Sequence, residues 1–178
     1  LEATLVWDRR NYGDFSSRGT KLRLYGGVNT ARSDGDSDYR HYGAELQGFV
    51  DLFHGSRILA LRVLAEGIDA SDPARLPYKE MQRLGGKTGP RGYSPYRFTD
   101  LNSLLLTVEY RYPLTKGLIG RLFADWGTVG PDWEGVALGD VDPSYGFALS
   151  VPLEDWPLTL HAARSPEGWE FYAGTEVA

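Results

Sequence analysis

Hydrophobic and polar residues alternate with a period of two along most of this chain. In the first segment, Ala3, Leu5 and Trp7 alternate with Glu2, Thr4 and Asp8. A period of two is that of a β-strand with one apolar face. The pattern predicts nine strands, over residues 1–8, 21–29, 41–52, 59–66, 103–112, 118–126, 145–153, 158–162 and 169–177. No segment shows a convincing helical period, so the chain is predicted to be all-β.

The connections between these predicted strands alternate in length. Short links cover residues 53–56, 113–117 and 153–157, and longer ones cover 30–38, 68–100 and 128–143. The links 9–19, which is long, and 165–168, which is short, depart from the rule. Short turns at one end and long loops at the other are typical of an antiparallel up-and-down transmembrane β-barrel, whose long loops are extracellular.

A soluble β-sandwich would alternate in a similar way, with its apolar face on a shared core. Three features favour the barrel: strand patterns of ten or more residues, aromatic residues at strand ends, and charges of both signs within the polar faces. The aromatic residues are Trp7, Phe53, Tyr110, Tyr112, Trp126 and Trp169. The charged residues are Glu45, Arg62, Glu109, Arg121 and Asp125. The last feature also fits the solvated face of a sandwich, so that alternative stays open.

Composition adds a few exclusions. The 178 residues predict a single domain, 1–178. The longest apolar run, from Ile58 to Leu61, is far too short for a membrane-spanning helix. A net charge of −5 argues against a nucleic-acid partner, and the absence of cysteine excludes disulfides. A strand pattern that already begins at Leu1 predicts no signal peptide, so the chain is either mature or lacks an upstream part.

The irregular stretch 68–100 is too long for a passive connection and indicates a function. Its glycines, which let the chain fold tightly, are Gly85, Gly86, Gly89 and Gly92. Arg91 lies between Pro90 and Gly92. A phosphate-binding loop is a weak interpretation, because no Gly-Lys-Ser/Thr and no helix follow.

Several motifs of this stretch and of the strands around it resemble one protein family. They are Gly85-Gly86 with Arg91-Gly92-Tyr93, the strand Leu106-Thr107-Val108-Glu109-Tyr110-Arg111-Tyr112-Pro113-Leu114, the segment Leu122-Phe123-Ala124-Asp125-Trp126-Gly127, and Trp7-Asp8-Arg9-Arg10-Asn11 with Gly19. Their order and spacing are similar to those of the bacterial surface antigen domain. That domain is the C-terminal barrel of the outer-membrane insertase superfamily, which includes BamA- and TamA-like proteins.

The resemblance implies that the 68–100 loop is extracellular and folds back into the barrel lumen. Arg91 would then contact Glu109 and Asp125, and both carboxylates also fall on the polar faces of their predicted strands. A guanidinium group can bind two carboxylates at once. We call the implied set the loop-lock motif: Arg91, Gly92, Tyr93, Glu109, Phe123, Asp125 and Gly127. In the alternative, Arg91 lies in a surface loop and Glu109 pairs with Arg111 or Arg121.

The resemblance further implies a role in the insertion and assembly of outer-membrane proteins, in the bacterial outer membrane. A weakly paired seam between the first and last strands would template an incoming strand. The residues expected to keep this seam open are Glu2, Asp8, Glu170 and Glu176. The expected partners are outer-membrane lipid, unfolded outer-membrane proteins and a second copy of the chain. The alternatives are a structural or binding barrel that uses loops 30–38 and 128–143, or the C-terminal fragment of a sixteen-strand translocation pore.

Two features depart from the family pattern. Barrels of the family have sixteen strands preceded by POTRA domains, and this chain matches only from about the eighth strand onward. Nine antiparallel strands also cannot close as a simple barrel, which leaves an upstream strand, one non-spanning strand, or a wall shared by two chains. We favour about eight strands, with 1–10 or 158–164 as the doubtful member. The chain also ends at Ala178 without the usual terminal aromatic residue.

The remaining motifs give little evidence of a function. No nucleophile elbow, Cys-His pair or Ser-x-x-Lys is present, so we expect no enzyme activity and no cofactor. Asp34, Asp36 and Asp38, with Glu45, have the spacing of a calcium loop, but Tyr39 takes the place of the required glycine. We therefore expect a solvated hairpin loop there. The three histidines, His41, His54 and His161, have no partner at metal-ligand spacing, so we expect no metal site.

Overall fold

A computed structural model gives one antiparallel sheet of nine strands. It describes residues 1–11, 16–30, 37–54, 56–136, 143–152 and 157–174. In chain order the strands are β1 (Glu2–Asp8), β2 (Gly19–Asn29), β3 (Tyr39–Asp51), β4 (Ile58–Ala70), β5 (Gln82–Leu84), β6 (Phe98–Asp100), β7 (Asn102–Thr115), β8 (Leu118–Gly130), β9 (Ser144–Pro152), β10 (Pro157–Ser165) and β11 (Gly168–Gly174). Only β5 and β6 lie outside the main sheet and pair with each other. The other strands follow in chain order, which confirms the predicted all-β, up-and-down architecture.

The main sheet is continuous and open. The two stretches that the eight-strand interpretation left in doubt are both strands, β1 and β10, so the main sheet has nine strands within the described residues. Within the described residues, β1 pairs only with β2 and β11 pairs only with β10, and no ladder joins the two edges. The strands β3, β4, β7 and β8 have 13 or 14 residues each, which is enough to cross a bilayer at a tilt.

The two faces of the sheet reverse the usual order of burial. Large apolar side chains are exposed on the outer face: Leu5, Leu24, Leu46, Leu61, Leu122, Leu149 and Leu160. Polar and charged side chains are buried on the inner face: Glu45, Thr107, Glu109, Arg111, Arg121, Asp125, Thr159 and His161. An apolar outside and a polar inside are the arrangement of a transmembrane barrel wall and the opposite of a sandwich.

The long connection between β4 and β7 is built from small elements. Three short 3₁₀ turns lie at Pro73–Arg75, Tyr78–Glu80 and Gly86–Thr88, around the β5–β6 hairpin. No helix in the described ranges is long and apolar enough to cross a membrane.

A small apolar cluster holds this hairpin against the inner face. Leu84 of β5 packs with Leu64 of β4 and Leu105 of β7, and Phe98 and Val129 flank them. Leu105 lies on the inner face, and the hairpin that covers it accounts for its near-complete burial. This cluster sets where the loop tip meets the wall.

Candidate functional site

The tip of the long loop, residues 85–93, is a compact turn closed by its own backbone. The Gly85 amide donates to the Gly89 carbonyl over 2.9 Å, and the Gly86 amide donates to the Tyr93 carbonyl over 2.9 Å. Gly85 has a φ of +113°, and a Cβ there would lie 2.4 Å from the Ser94 carbonyl oxygen. The glycine at this position therefore lets the chain reverse tightly enough to present Arg91.

Arg91 binds both predicted carboxylates on the inner wall. Its Nε and Nη2 donate to Asp125 Oδ2 and Oδ1 over 2.8 and 2.9 Å, and its backbone amide also donates to Asp125 Oδ2 over 2.9 Å. Its Nη1 donates to Glu109 Oε2 over 3.2 Å. The side chains of Arg91, Asp125 and Glu109 are all at least 98% buried. Such a charge-assisted, bidentate arrangement fixes both the position and the orientation of the loop tip.

An aromatic ring completes the Arg91 pocket. The guanidinium carbon lies 3.5 Å from the centre of the Phe123 ring, a cation–π contact in a desolvated place. The ring has room because the facing strand carries glycine, and a Cβ on Gly146 would lie 2.7 Å from Phe123 Cζ. Burial lowers the pKa of Arg91, but the charges of Asp125 and Glu109 raise it more, so the net pKa is above its ordinary value. Arg91 is therefore permanently charged.

Glu109 is shared by three arginines. In addition to Arg91, the Nε of Arg111 donates to Glu109 Oε1 over 2.7 Å and the Nη1 of Arg121 donates to it over 3.4 Å. The sequence left open whether Glu109 would pair with Arg91 or with its neighbours, and the structure gives it all of these partners. Arg121 is the least satisfied of the set, because its Nε and Nη2 are buried without a hydrogen-bond partner in the described part of the chain.

Gly92 and Tyr93 attach the tip to the last two strands. Gly92 has a φ of +96°, and a Cβ there would lie 2.9 Å from the carbonyl carbon of Arg164. The Ser165 hydroxyl donates to the Gly92 carbonyl, and the Tyr172 hydroxyl donates to the Tyr93 carbonyl over 2.8 Å. The buried Tyr93 ring packs edge-on against the Phe98 ring at 4.9 Å.

The last loop-lock residue, Gly127, lies on β8 directly under the tip. A Cβ there would lie 2.8 Å from Pro90 Cδ and 3.2 Å from Leu84 Cδ1. The absence of a side chain lets the loop approach the strand closely. The structure thus brings together every residue of the loop-lock motif.

A second charged cluster on β2–β4 also contacts the loop, and this contact was not predicted from the sequence. Arg62 Nη1 donates to the Thr88 carbonyl over 3.1 Å, and its Nε donates to Glu45 Oε1 over 2.7 Å. Arg23 Nε donates to the other oxygen of Glu45 over 3.1 Å, and Gln47 Nε2 donates to Oε1 over 3.1 Å. The register of the paired strands could have indicated this cluster, because Arg23 lies directly opposite Glu45 and Arg62 lies directly opposite Gln47.

The described residues of the proposed seam lie on the two edge strands of the sheet. Glu2 and Asp8 are on β1, where Asp8 pairs with Arg10 at 2.8 Å. Glu170 is on β11 and accepts a hydrogen bond from the Ser94 hydroxyl over 3.1 Å, so it contacts the loop as well. Glu176 lies outside the described residues.

The calcium pattern and the histidines were the weaker candidates for a site. Asp34 and Asp36 lie outside the described residues, and Glu45, the last position of the calcium pattern, is occupied by the two arginines. The His161 ring lies at a tilted angle to the Phe123 ring on the inner face, with 6.0 Å between the ring centres. Among the described residues, no group of three acidic or histidine side chains is placed to hold a metal ion.

Comparisons with known proteins agree with this geometry. A family model described as "Omp85 superfamily domain" matches residues 1–151. The chain is also similar to a solved structure, the crystal structure of BamA from Haemophilus ducreyi lacking POTRA domains 1-3, with a TM-score of 0.76 and 15% identity. That match covers 96% of this chain but 40% of the other, so this chain spans less than half the length of the structure it matches. A comparison with curated proteins found no match.

Proposed function

Since the chain belongs to the Omp85 superfamily, we propose that it lies in the bacterial outer membrane and assists the insertion and assembly of outer-membrane proteins. The reversed burial of the sheet supports the location, because exposed leucines suit lipid and buried charges suit a polar lumen. The expected partners are outer-membrane lipid and unfolded outer-membrane proteins.

One observation carries the proposal: the loop that is locked to the middle of the wall also holds an edge strand. Arg91 is fixed to β7 and β8, while the carbonyl of Tyr93 and the hydroxyl of Ser94 are bonded to Tyr172 and Glu170 of β11. An edge strand with free backbone groups can pair with an incoming strand. In this proposal the loop keeps β11 in a fixed geometry as a template.

The composition of the two edges suits reversible pairing. Glu2 and Asp8 on β1, and Glu170 on β11, place carboxylates along strands whose outer sides are unpaired in the described residues. Charged side chains on edge strands oppose permanent zipping. Trp169 and Phe171 stack at 6.3 Å on the exposed side of β11, which gives a client strand in lipid an apolar surface.

We further propose that the chain performs no covalent chemistry and needs no cofactor. The two carboxylates of the site, Glu109 and Asp125, are both held by arginine. Each carboxylate therefore works as an anchor and is not available as an acid or base.

A second candidate is that these strands form part of the wall of a larger translocation pore, without insertase activity. It is favoured by the open sheet and by the 40% share of the matched BamA structure. In that case the locked loop would narrow a channel and would not support a template strand.

Reconstitution tests the proposal. The chain is placed in liposomes of outer-membrane phospholipid, an unfolded outer-membrane protein is added, and its folding is followed by the heat-dependent shift on SDS gels. We expect faster client folding than in empty liposomes, and a loss of this gain with Arg91→Ala. Arg75→Ala is the matched control, since Arg75 makes only an exposed pair with Asp72 within the loop.

Client folding no faster than in empty liposomes would reject the insertase proposal. Ion conductance across the same liposomes, if found without any gain in client folding, would support the pore. Extraction of the chain by alkaline carbonate would reject both, because each requires integration into the membrane.

A further inference from the structure

The outer wall carries an arginine without an acidic partner at the end where the short turns lie. Arg57 precedes β4 and is exposed, and its guanidinium lies 5.1 Å from the centre of the exposed Phe53 ring. Among the described residues, no carboxylate pairs with it. An unpaired cation at the boundary of an apolar wall is costly unless a ligand or solvent satisfies it.

Arg57 lines a groove whose other walls are aromatic and apolar. The groove has a volume of about 440 Å³ and is lined by Ser56, Arg57, Tyr110, Tyr112, Pro113 and Leu122. Tyr110 and Tyr112 are stacked at 5.8 Å on the outer face of β7. No hydrogen bond of either tyrosine hydroxyl is found within the described part of the chain, so both remain free to donate to a ligand.

The groove opens toward the lipid-facing leucines. Leu59 pairs with Tyr110 across the strands, and Leu61 pairs with Val108 one step nearer the middle of the sheet. Leu59, Leu61 and Leu122 are all exposed. From the turn toward the bilayer centre, the surface therefore presents a cation, then tyrosine hydroxyls, then leucines.

We propose that this groove binds the phosphodiester headgroup of a membrane glycerophospholipid, with its acyl chains along β4, β7 and β8. Arg57 donates to the phosphate oxygens, Tyr112 adds a hydroxyl donor, and the leucines contact the chains. Guanidinium–phosphate hydrogen bonds are strong because the acceptor is ionised. The short-turn end faces the periplasm in such barrels, so the ligand is a lipid of the periplasmic leaflet. This site does not depend on insertase activity.

The ring of Tyr112 is held in place before any lipid arrives. It lies over Gly120, its cross-strand neighbour, and a Cβ on Gly120 would lie 2.7 Å from Tyr112 Cζ. A pre-positioned tyrosine loses little conformational freedom on binding. The groove is thus preorganised on one side and completed by the exposed Arg57.

Native mass spectrometry of the full chain in a neutral detergent tests the site. The chain is titrated with dioleoyl phosphatidylglycerol, and retained lipid is counted per protein. We expect saturable retention of one lipid, and an affinity about tenfold lower in Arg57→Gln, the weakening expected for the loss of one charge-assisted hydrogen bond. Tyr112→Phe, which keeps the ring over Gly120, should weaken binding less.

The controls separate this site from general adsorption. Arg18→Gln removes a charge from the same end of the barrel, but that guanidinium already pairs with Asp51 at 3.1 Å, so retention should not change. Dioleoylglycerol, which has the acyl chains without the phosphodiester, should not be retained.

Three results would overturn the proposal: equal retention by Arg57→Gln and the wild type, equal loss in Arg18→Gln, or complete displacement of the lipid by inorganic phosphate. The heat-dependent gel shift of each variant checks that it is folded.

Discussion

The inner wall holds two arginine–carboxylate clusters that contact the same loop, and they differ in burial. In the first, Arg91 and its carboxylates are almost completely buried. In the second, Glu45 is 9% exposed, but its partners Arg62 and Arg23 are 20% and 39% exposed. The chemistry is the same in both. Water screens the second cluster and not the first, so we expect the first to determine whether the loop is locked and the second to adjust it.

Arg91→Ala should have the largest effect. It leaves Asp125 and one oxygen of Glu109 buried without their main partner, at a cost of about 3–5 kcal/mol for a fully buried pair. The measurement is the thermal midpoint together with the heat-dependent shift on SDS gels. Arg91→Lys keeps the charge but loses the bidentate geometry, so its thermal midpoint should lie between those of the wild type and Arg91→Ala. A wild-type midpoint in Arg91→Ala would contradict the idea of an internal lock.

Gly92→Ala should rank second. The new Cβ would lie 2.9 Å from the Arg164 carbonyl carbon, at a φ of +96° that side chains rarely adopt. We expect a loss of about 2 kcal/mol in the free energy of unfolding, from strain and steric conflict together. Gly48→Ala is a suitable control, because no atom lies within 4 Å of the added Cβ. Equal stability of the two variants would mean that the loop tip does not touch β10.

Arg62→Gln tests the more exposed cluster. It removes the contacts to Glu45 and to the Thr88 carbonyl, and we expect a cost of about 1 kcal/mol because the Arg62 side chain is 20% exposed to solvent. Hydrogen exchange should show faster opening at residues 86–88. A double-mutant cycle with Arg91→Ala gives the coupling between the clusters. If Arg62→Gln lowered the free energy of unfolding as much as Arg91→Ala does, the two clusters would not differ in their contribution to stability.

Tyr172→Phe should have the smallest effect. It deletes one hydroxyl that donates to the Tyr93 carbonyl over 2.8 Å. One neutral hydrogen bond is worth about 1 kcal/mol, and the partial exposure of Tyr172 reduces that figure. The expected signature is local, namely faster exchange of β11 amides with an unchanged thermal midpoint. No change in β11 exchange would show that this hydrogen bond does not hold the edge strand.

The sequence was sufficient for the nine strands of the main sheet and for the facing of Glu109 and Asp125, because a period of two assigns each residue to a face. It also indicated the long loop, because 68–100 has no such period. These inferences use neighbours along one strand. They need no knowledge of the path that the loop takes through space.

The contacts of the loop with Arg62 and Tyr172 could not be predicted from the sequence, because they depend on the path of the loop through space. The pairs Arg62–Thr88 and Tyr172–Tyr93 are 26 and 79 residues apart, and they form only because the loop crosses the wall at a particular height. That height depends on the packing of Leu84 against Leu64 and Leu105. The preference for eight strands rested on parity in a closed barrel, which does not apply to an open sheet, and the described sheet has the nine strands that the pattern predicted.

The hydrogen bonds from Tyr172 and to Glu170 have a mechanical consequence. A pull on β11 along its axis is shared between the ladder to β10 and the loop, and the loop passes its part to the Arg91–Asp125 pair. The loop therefore supports the edge strand from the inner side and connects it to the middle of the wall. Single-molecule force measurements should find that β11 separates from β10 in two steps, and that Arg91→Ala merges these two steps into one.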